Sequence, residues 1–294
     1  MREAIKSWAI KSLGATGEFD VLPLIGSKEF VAWLPTFLQS KKVLIPKVAY
    51  PTYNVGAILA GAQSITVDLD SELWPQADLA WINSPSNPTG RVHTEAELKS
   101  TIKYSRKNNT PLVCDECYLE FGDSVLPTSI LSYTQGDNSN ILAVHSLSKR
   151  SSMAGYRGAF VIGDPELIKK ILEVRKHAGM MVPLPIQHAM VAALADTNHV
   201  GEQRARYNAR RKILSPALES IGFNIEHSEA GLYIWCTRGE DAWKSVEILA
   251  KLGILVTPGI FYGIDGSQFV RIALTATDAA IADAAGRITA SKAE

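Results

Sequence analysis

The sequence predicts an α/β protein. A large domain on a mostly parallel sheet is expected over residues 1–195, and a smaller C-terminal α+β domain over residues 196–294. Three observations carry this. Apolar runs of strand length alternate with helical patterns through the first half, as in a parallel sheet covered by helices. The polar clusters each follow an apolar run, at the carboxyl ends where open α/β sheets place their ligands. A long charged helical stretch, residues 200–221, then leads into short strands and helices and is expected to bridge the two domains.

Residues 2–14 form an amphipathic pattern with Ala4, Ile5, Trp8, Ala9 and Leu13 on one face, and Gly14 as its stop. The run 21–25 breaks at Gly26 and Ser27 into an apolar helix reaching Phe37. Strands follow at 42–46, 63–68 and 79–83, with a helix at 53–62 between the first two. Thr94 and Glu97 have the spacing of a helix-capping pair, opening a helix to about Lys107. Further strands are expected at 111–115, 141–145 and 159–163, and helices at 165–178 and 184–195. After the long helix come strands at 224–226, 232–235, 254–257 and 269–274. A helix covers 241–251, and a closing one begins near Asp278.

Bulk properties narrow the function. With 294 residues, 46% hydrophobic and 20% charged, the chain can bury a sizeable core. Lys plus Arg and Asp plus Glu both number 30, which argues against a polyanion-binding surface and so against nucleic acid as a partner. No apolar run approaches the roughly 20 residues of a membrane span, and residues 1–8 show no signal-peptide pattern. Three cysteines, Cys114, Cys117 and Cys236, are too few for a disulfide framework, and a cytoplasmic location is expected. Cys114 and Cys117 read as core thiols. The histidines lack metal-ligand spacing, so no metal is expected.

The most informative stretch is residues 141–157. An apolar strand ends in a hydroxyl-rich loop with Ser146, Ser148 and Lys149, and Arg157 follows a glycine by two positions. An amine beside hydroxyls and a guanidinium suits pyridoxal phosphate, which needs a Schiff-base lysine and a phosphate cradle. Read alone, the loop is equally an ordinary polar turn. Ser146 and Lys149 also match the Ser-x-x-Lys of penicillin-binding enzymes, but that family's other two tripeptides are absent.

Other strand-end residues extend the pattern. Asp115 could face a pyridine nitrogen and keep it protonated. Glu116, its neighbour, would point to the opposite face. Tyr118 and Asn87 could donate to a phenolate oxygen, Tyr50 could stack on a ring, and Ser27 and Lys28 open a helix at a turn suited to phosphate. Arg271 lies in an otherwise apolar strand. Its partner would be a substrate carboxylate or, in the plainer reading, a buried ion pair. His145 reads as a packing residue. Arg175, Met180 and Met181 fit either the mouth of a site or the packing of a helix end.

Together these motifs resemble the class I/II aminotransferases, pyridoxal-phosphate enzymes of fold type I. The matches are Tyr50 to Tyr53, residues 83–90, Asp115 to Tyr118, Ser146 to Arg150 with Arg157, and Arg271, in the family's order. The resemblance implies a seven-stranded large-domain sheet, pyridoxal 5'-phosphate as cofactor, amino-acid and keto-acid substrates, and a homodimer. By the same resemblance, Lys149 is the Schiff-base lysine and then the base that moves the Cα proton. Asp115 holds the ring nitrogen, and Tyr118 and Asn87 the phenolate oxygen. Ser27, Lys28, Ser146, Ser148 and Arg157 bind phosphate, Tyr50 stacks, and Arg271 with Asn87 takes the substrate carboxylate.

Residues 25–29, 145–150, 175–182 and 273–278 are similar to the actinobacterial succinyldiaminopimelate aminotransferases. This implies transfer from glutamate to N-succinyl-2-amino-6-oxopimelate, in lysine and diaminopimelate biosynthesis. Another amino-acid transaminase and a C–S lyase of the same fold are the alternatives. Family members carry a further segment ahead of the helix at residues 2–14. The resemblance therefore implies a chain short of that segment, with an inactive cofactor-fold protein as the third alternative.

Overall fold

Six of the expected strands and the apolar run 21–25 pair into one sheet. The computed structural model describes residues 1–291. The strands are β1 (Asp20–Ile25), β2 (Lys42–Pro46), β3 (Gln63–Val67), β4 (Leu79–Asn83), β5 (Leu112–Asp115), β6 (Ile141–Ser146) and β7 (Gly158–Gly163). Their order is β1-β7-β6-β5-β4-β2-β3. β7 alone runs against the rest, antiparallel to both β1 and β6. β4 to β7 are buried along their whole length, as strands covered on both faces must be.

Helices cover the two faces. On one lie α2 (Ser27–Phe37), α3 (Thr52–Leu59) and α6 (Pro165–His177), packing Phe30, Leu34, Tyr53 and Ile168 against Leu79, Trp81 and Val113. On the other lie α1 (Arg2–Trp8), α4 (Glu95–Asn108) and α7 (Leu184–Ala195), with Ile5, Leu98 and Met190 against Ala80, Ile82 and Cys114. Thr94 and Glu97 form the expected reciprocal cap of α4. The pattern over residues 2–14 runs as α-helix to Trp8 and then as a π-turn to Leu13. It stops at Gly14 in the left-handed region, with φ 65°. A four-residue helix, α5 (Leu147–Arg150), follows β6 directly.

The long α8 (Asn198–Ser220) leads to a second sheet of β8 (Asn224–Ile225), β9 (Tyr233–Thr237), β10 (Thr257–Pro258) and β11 (Phe269–Ala273), in the order β10-β11-β9-β8. α8, α9 (Ala242–Lys251) and α10 (Asp278–Ala290) share its core, and Tyr118 and Phe121 of the first half join the same cluster. The strand expected at 254–257 shrinks to Thr257 and Pro258. Residues 254–256 instead unwind from the left-handed turn at Gly253, where Ile254 N–H donates to Leu249 O, and Leu255 stands 91% exposed. An apolar run without a neighbouring strand to pair with has no ladder to join. No helix among the described residues is long and apolar enough to cross a membrane.

Candidate active site

A cleft of about 320 Å³ opens where the carboxyl ends of β4, β5 and β6 meet β11. Ser27, Lys28, Tyr50, Asn87, Asp115, Tyr118, Ser146, Ser148, Lys149, Arg157 and Arg271 all line it. The eleven residues singled out in the sequence are thus brought together. β5 and β6 are neighbours in register, Asp115 beside Val144, so the acid and the lysine loop leave the sheet side by side.

Asp115 is the last residue of β5 and is buried. Its Oδ2 accepts the Tyr53 hydroxyl at 2.9 Å and its Oδ1 the Cys117 backbone N–H at 3.1 Å. Burial pushes its carboxyl above the ordinary range, and the bonds from Cys117 and Tyr53 pull partly against that. Neither donor is a cation, so the site gains most from a positively charged partner. Glu116 faces the other way: its Oε1 accepts Ile130 N–H at 2.7 Å, and its Oε2 lies 3.1 Å from His145 Nε2. His145 stacks on Phe160 and meets the edge of Trp8, a packing role.

Ser146 caps α5 by accepting Ser148 N–H at 3.1 Å, and Lys149 stands exposed at the cleft. Arg157 has a left-handed backbone, φ 58°, and one of its nitrogens donates to Ala154 O at 2.8 Å. The other leans over Gly26. A Cβ there would lie 2.2 Å from Arg157 Nη2, and Gly26 itself has φ 77°. Only glycine leaves the guanidinium in place over the start of α2, where Ser27 and Lys28 stand. Hydroxyls, a helix start and a guanidinium thus gather at one end of the cleft, a set whose chemistry would suit a phosphate.

On the far wall, Arg271 Nη1 donates to Asn87 Oδ1 at 2.8 Å. Its guanidinium lies 5.2 Å from the ring centroids of both Tyr233 and Tyr262. Its Nε is buried without a partner. The plainer reading, a buried ion pair, is not what surrounds it: the neighbours are an amide and two ring faces, and the fork remains open to a carboxylate. Tyr118 is buried edge-on to Tyr233. Burial raises its hydroxyl pKa, which keeps it a proton donor.

Three residues at the site were given no role there by sequence reasoning. Tyr53 reaches Asp115 from the first turn of α3. Asn83 ties the loop together: its amide nitrogen donates to Pro85 O at 3.0 Å and Asp115 O at 2.7 Å, and its oxygen accepts Asn87 N–H at 2.7 Å. Cys117, read as a core thiol, lines the cleft. Arg175, Met180 and Met181 do not line it. Arg175 is buried against Glu29 at 2.6 Å and donates to Met180 O at 3.3 Å, so helix-end packing is the role of Arg175 and Met180, while Met181 stands 65% exposed.

The sequence profile of "Aminotransferase class I and II" matches residues 2–288. The chain belongs to this family of aminotransferases. Its members use pyridoxal phosphate, and the buried acid, the exposed lysine and the hydroxyls with the guanidinium fit that cofactor. The chain is 51% identical to the 4-dedimethylamino-4-oxo-anhydrotetracycline transaminase OxyQ of Streptomyces rimosus, over 98% of its length and 82% of the relative's. It is 51% identical to a probable aminotransferase of Mycobacterium tuberculosis, over 98% of this chain and 71% of that one. An LL-diaminopimelate aminotransferase of Dehalococcoides mccartyi is 33% identical, over 95% of this chain and 77% of the relative. Among solved structures, a probable N-succinyldiaminopimelate aminotransferase of Thermus thermophilus superposes with a TM-score of 0.90 at 26% identity. It covers 98% of this aminotransferase and 83% of that chain. The architecture is that of the fold type I aminotransferases.

Proposed function

We propose that this aminotransferase moves an amino group from glutamate to N-succinyl-2-amino-6-oxopimelate, in diaminopimelate and lysine biosynthesis, as a cytoplasmic homodimer. We also propose a division into a cofactor-binding domain, 1–195, and a smaller domain, 196–294, supported by the two separate sheets. The observation that carries the reading is Arg271, whose guanidinium is fixed by Asn87 and two aromatic faces with Nε still unpartnered. That geometry suits the α-carboxylate common to both substrates. The similarity to diaminopimelate-pathway aminotransferases supports the choice of acceptor.

When bound, pyridoxal phosphate supplies an aldehyde that engages amines and a protonated ring that withdraws electrons from the substrate Cα. Lys149 Nζ takes up and returns the Cα proton. Asp115 holds a proton on the ring nitrogen, and Tyr53 and Cys117 N–H fix its carboxylate. Tyr118 and Asn87 donate to the phenolate oxygen, and Tyr50 covers the ring face. Ser27, Lys28, Ser146, Ser148 and Arg157 hold the phosphate. Arg271 and Asn87 orient the substrate so that its Cα proton faces Lys149.

The first test is borohydride reduction of the chain with pyridoxal phosphate, followed by peptide mass mapping. A phosphopyridoxyl adduct on Lys149, absent in Lys149→Ala, is expected. Equal labelling of surface lysines would sink the site assignment. An acceptor panel after glutamate loading then tests the substrate. The 51% identity to OxyQ favours a second reading, a cyclic ketone as acceptor. Turnover of such a ketone, with none of the succinylated semialdehyde, would select it. Release of ammonia and pyruvate without any acceptor would select a C–S lyase.

A further inference from the structure

Beside the catalytic cleft lies a second cavity of about 280 Å³. Asn83 lines both and stands between them. Val67 and Trp74 give the second cavity apolar walls, and Trp81, Arg91 and His93 give it nitrogen atoms. Each of these three carries a buried nitrogen with no hydrogen-bond partner: Trp81 Nε1, Arg91 Nη1 and His93 Nδ1. An indole N–H and a guanidinium N–H can donate but never accept. The partners of Trp81 Nε1 and Arg91 Nη1 must therefore present acceptor oxygens, and His93 Nδ1 can donate to the same oxygens in its Nδ1–H tautomer; leaving buried donors unpaired is costly.

Net charge does not define the occupant. Arg91 Nη2 is paired with Glu97 at 2.6 Å, and Lys47 at the rim with Asp68 at 2.8 Å. His93 is held neutral, since burial and then the Arg91 charge lower its pKa to about 4. Recognition thus falls to directed hydrogen bonds beside apolar walls. The volume is several times the ~30 Å³ that one water occupies in the liquid, so a few carbon atoms can accompany the oxygens.

We propose that this cavity is a second ligand subsite, taking the carboxylate or amide oxygens of a small acyl compound on Trp81, Arg91 and His93. The oxygens can come from two sources: the distal acyl end of a long amino acceptor reaching past Asn83, or a separate small acid. The first source rests on the proposed substrate, and the second does not. Either occupant would sense the cleft, because Asn83 Oδ1 holds Asn87 N–H and Asn87 holds Arg271.

The test is calorimetric titration of succinate into the cofactor-loaded chain, alongside Arg91→Gln and Leu69→Trp. Leu69 lines the cavity and is 40% exposed, so a larger ring there obstructs the space without entering the core. Succinate is expected to bind and to weaken roughly tenfold or more in each variant. The rate of the glutamate half-reaction should stay unchanged. If Arg91→Gln raises KM for the long acceptor but not for glutamate, the substrate's own acyl end is the occupant. If succinate binds undisturbed by saturating acceptor, a separate acid is. No succinate binding, or equal affinity in the wild type and Leu69→Trp, overturns the subsite and leaves water as the partner of these nitrogens. Leu69→Trp carries the test should Arg91→Gln fail to fold.

Discussion

The hydroxyl of Tyr53 donates to Asp115 Oδ2 at 2.9 Å, joining the first turn of α3 to the end of β5. Tyr53 is fully buried. Burial, and then the Asp115 charge, raise its pKa, so it stays protonated and stays a donor. The bond favours the carboxylate form of an acid that burial pushes the other way. Tyr53→Phe should raise the Asp115 pKa further and slow the glutamate half-reaction. The chain without cofactor should lose about 1–3 kcal/mol, the usual cost of an unsatisfied buried partner. Denaturant unfolding and the pH profile of the half-reaction check this. An unmoved profile would remove Tyr53 from the site's electrostatics.

Arg271 offers a rigid fork, and lysine offers a point charge. Arg271→Lys should raise KM for glutamate roughly tenfold to a hundredfold, with a smaller change in kcat, because the contact is made in ground and transition states alike. Steady-state kinetics at saturating acceptor decide it. Equal falls in kcat and kcat/KM would instead tie Arg271 to the reacting centre.

Gly26 leaves no room for a methyl group beneath Arg157. Gly26→Ala should strain a backbone held at φ 77° and displace the guanidinium. Pyridoxal phosphate affinity should fall roughly tenfold or more, with less effect on pyridoxal, which has no phosphate. Titration with both compounds, followed by absorbance, separates the two. Equal losses would mean a general collapse of the loop.

His93 titrates below its ordinary value of 6.5, at about 4, through burial and then the Arg91 charge, with Glu97 opposing. The folded chain therefore favours the neutral ring. The stability that depends on this is fully present above pH 6.5 and is lost as pH falls from there toward 4. His93→Gln should flatten that part of the stability curve. Chemical denaturation between pH 7 and pH 4 measures the difference, and parallel curves would contradict it.

Much of this was legible in the sequence, for a physical reason. Parallel strands buried on both faces read as unbroken apolar runs, so β4, β5 and β6 stood out, and with them Asp115 at the end of β5 and Asn87 and Lys149 a few positions past the ends of β4 and β6. Arg271 showed itself as a charge in an apolar strand. Tyr53 did not, because nothing local separates a tyrosine bonded to Asp115 from one that only fills a core, and its partner lies 62 positions away. Asn83 ends the strand expected at 79–83, and the hydrogen bond that ties it to Asp115 O appears only once β4 and β5 pair. Residues 254–256 misled in the other direction. Their apolar character suits a strand, and the missing neighbour is a tertiary fact.

The strand order sets β5 and β6 among the inner strands of the larger sheet, with β1 and β3 at its margins. Amide protons on inner strands exchange with solvent only when the whole unit opens, whereas marginal strands fray one at a time. Asp115 ends β5, and Lys149 follows β6 by three positions. The acid and the strand that ends just before the amine therefore belong to the slowest-exchanging part of the molecule. Deuterium uptake should reach β5 and β6 last, and the anchors of the two groups should keep their relative position through the local openings that loosen the margins of the sheet.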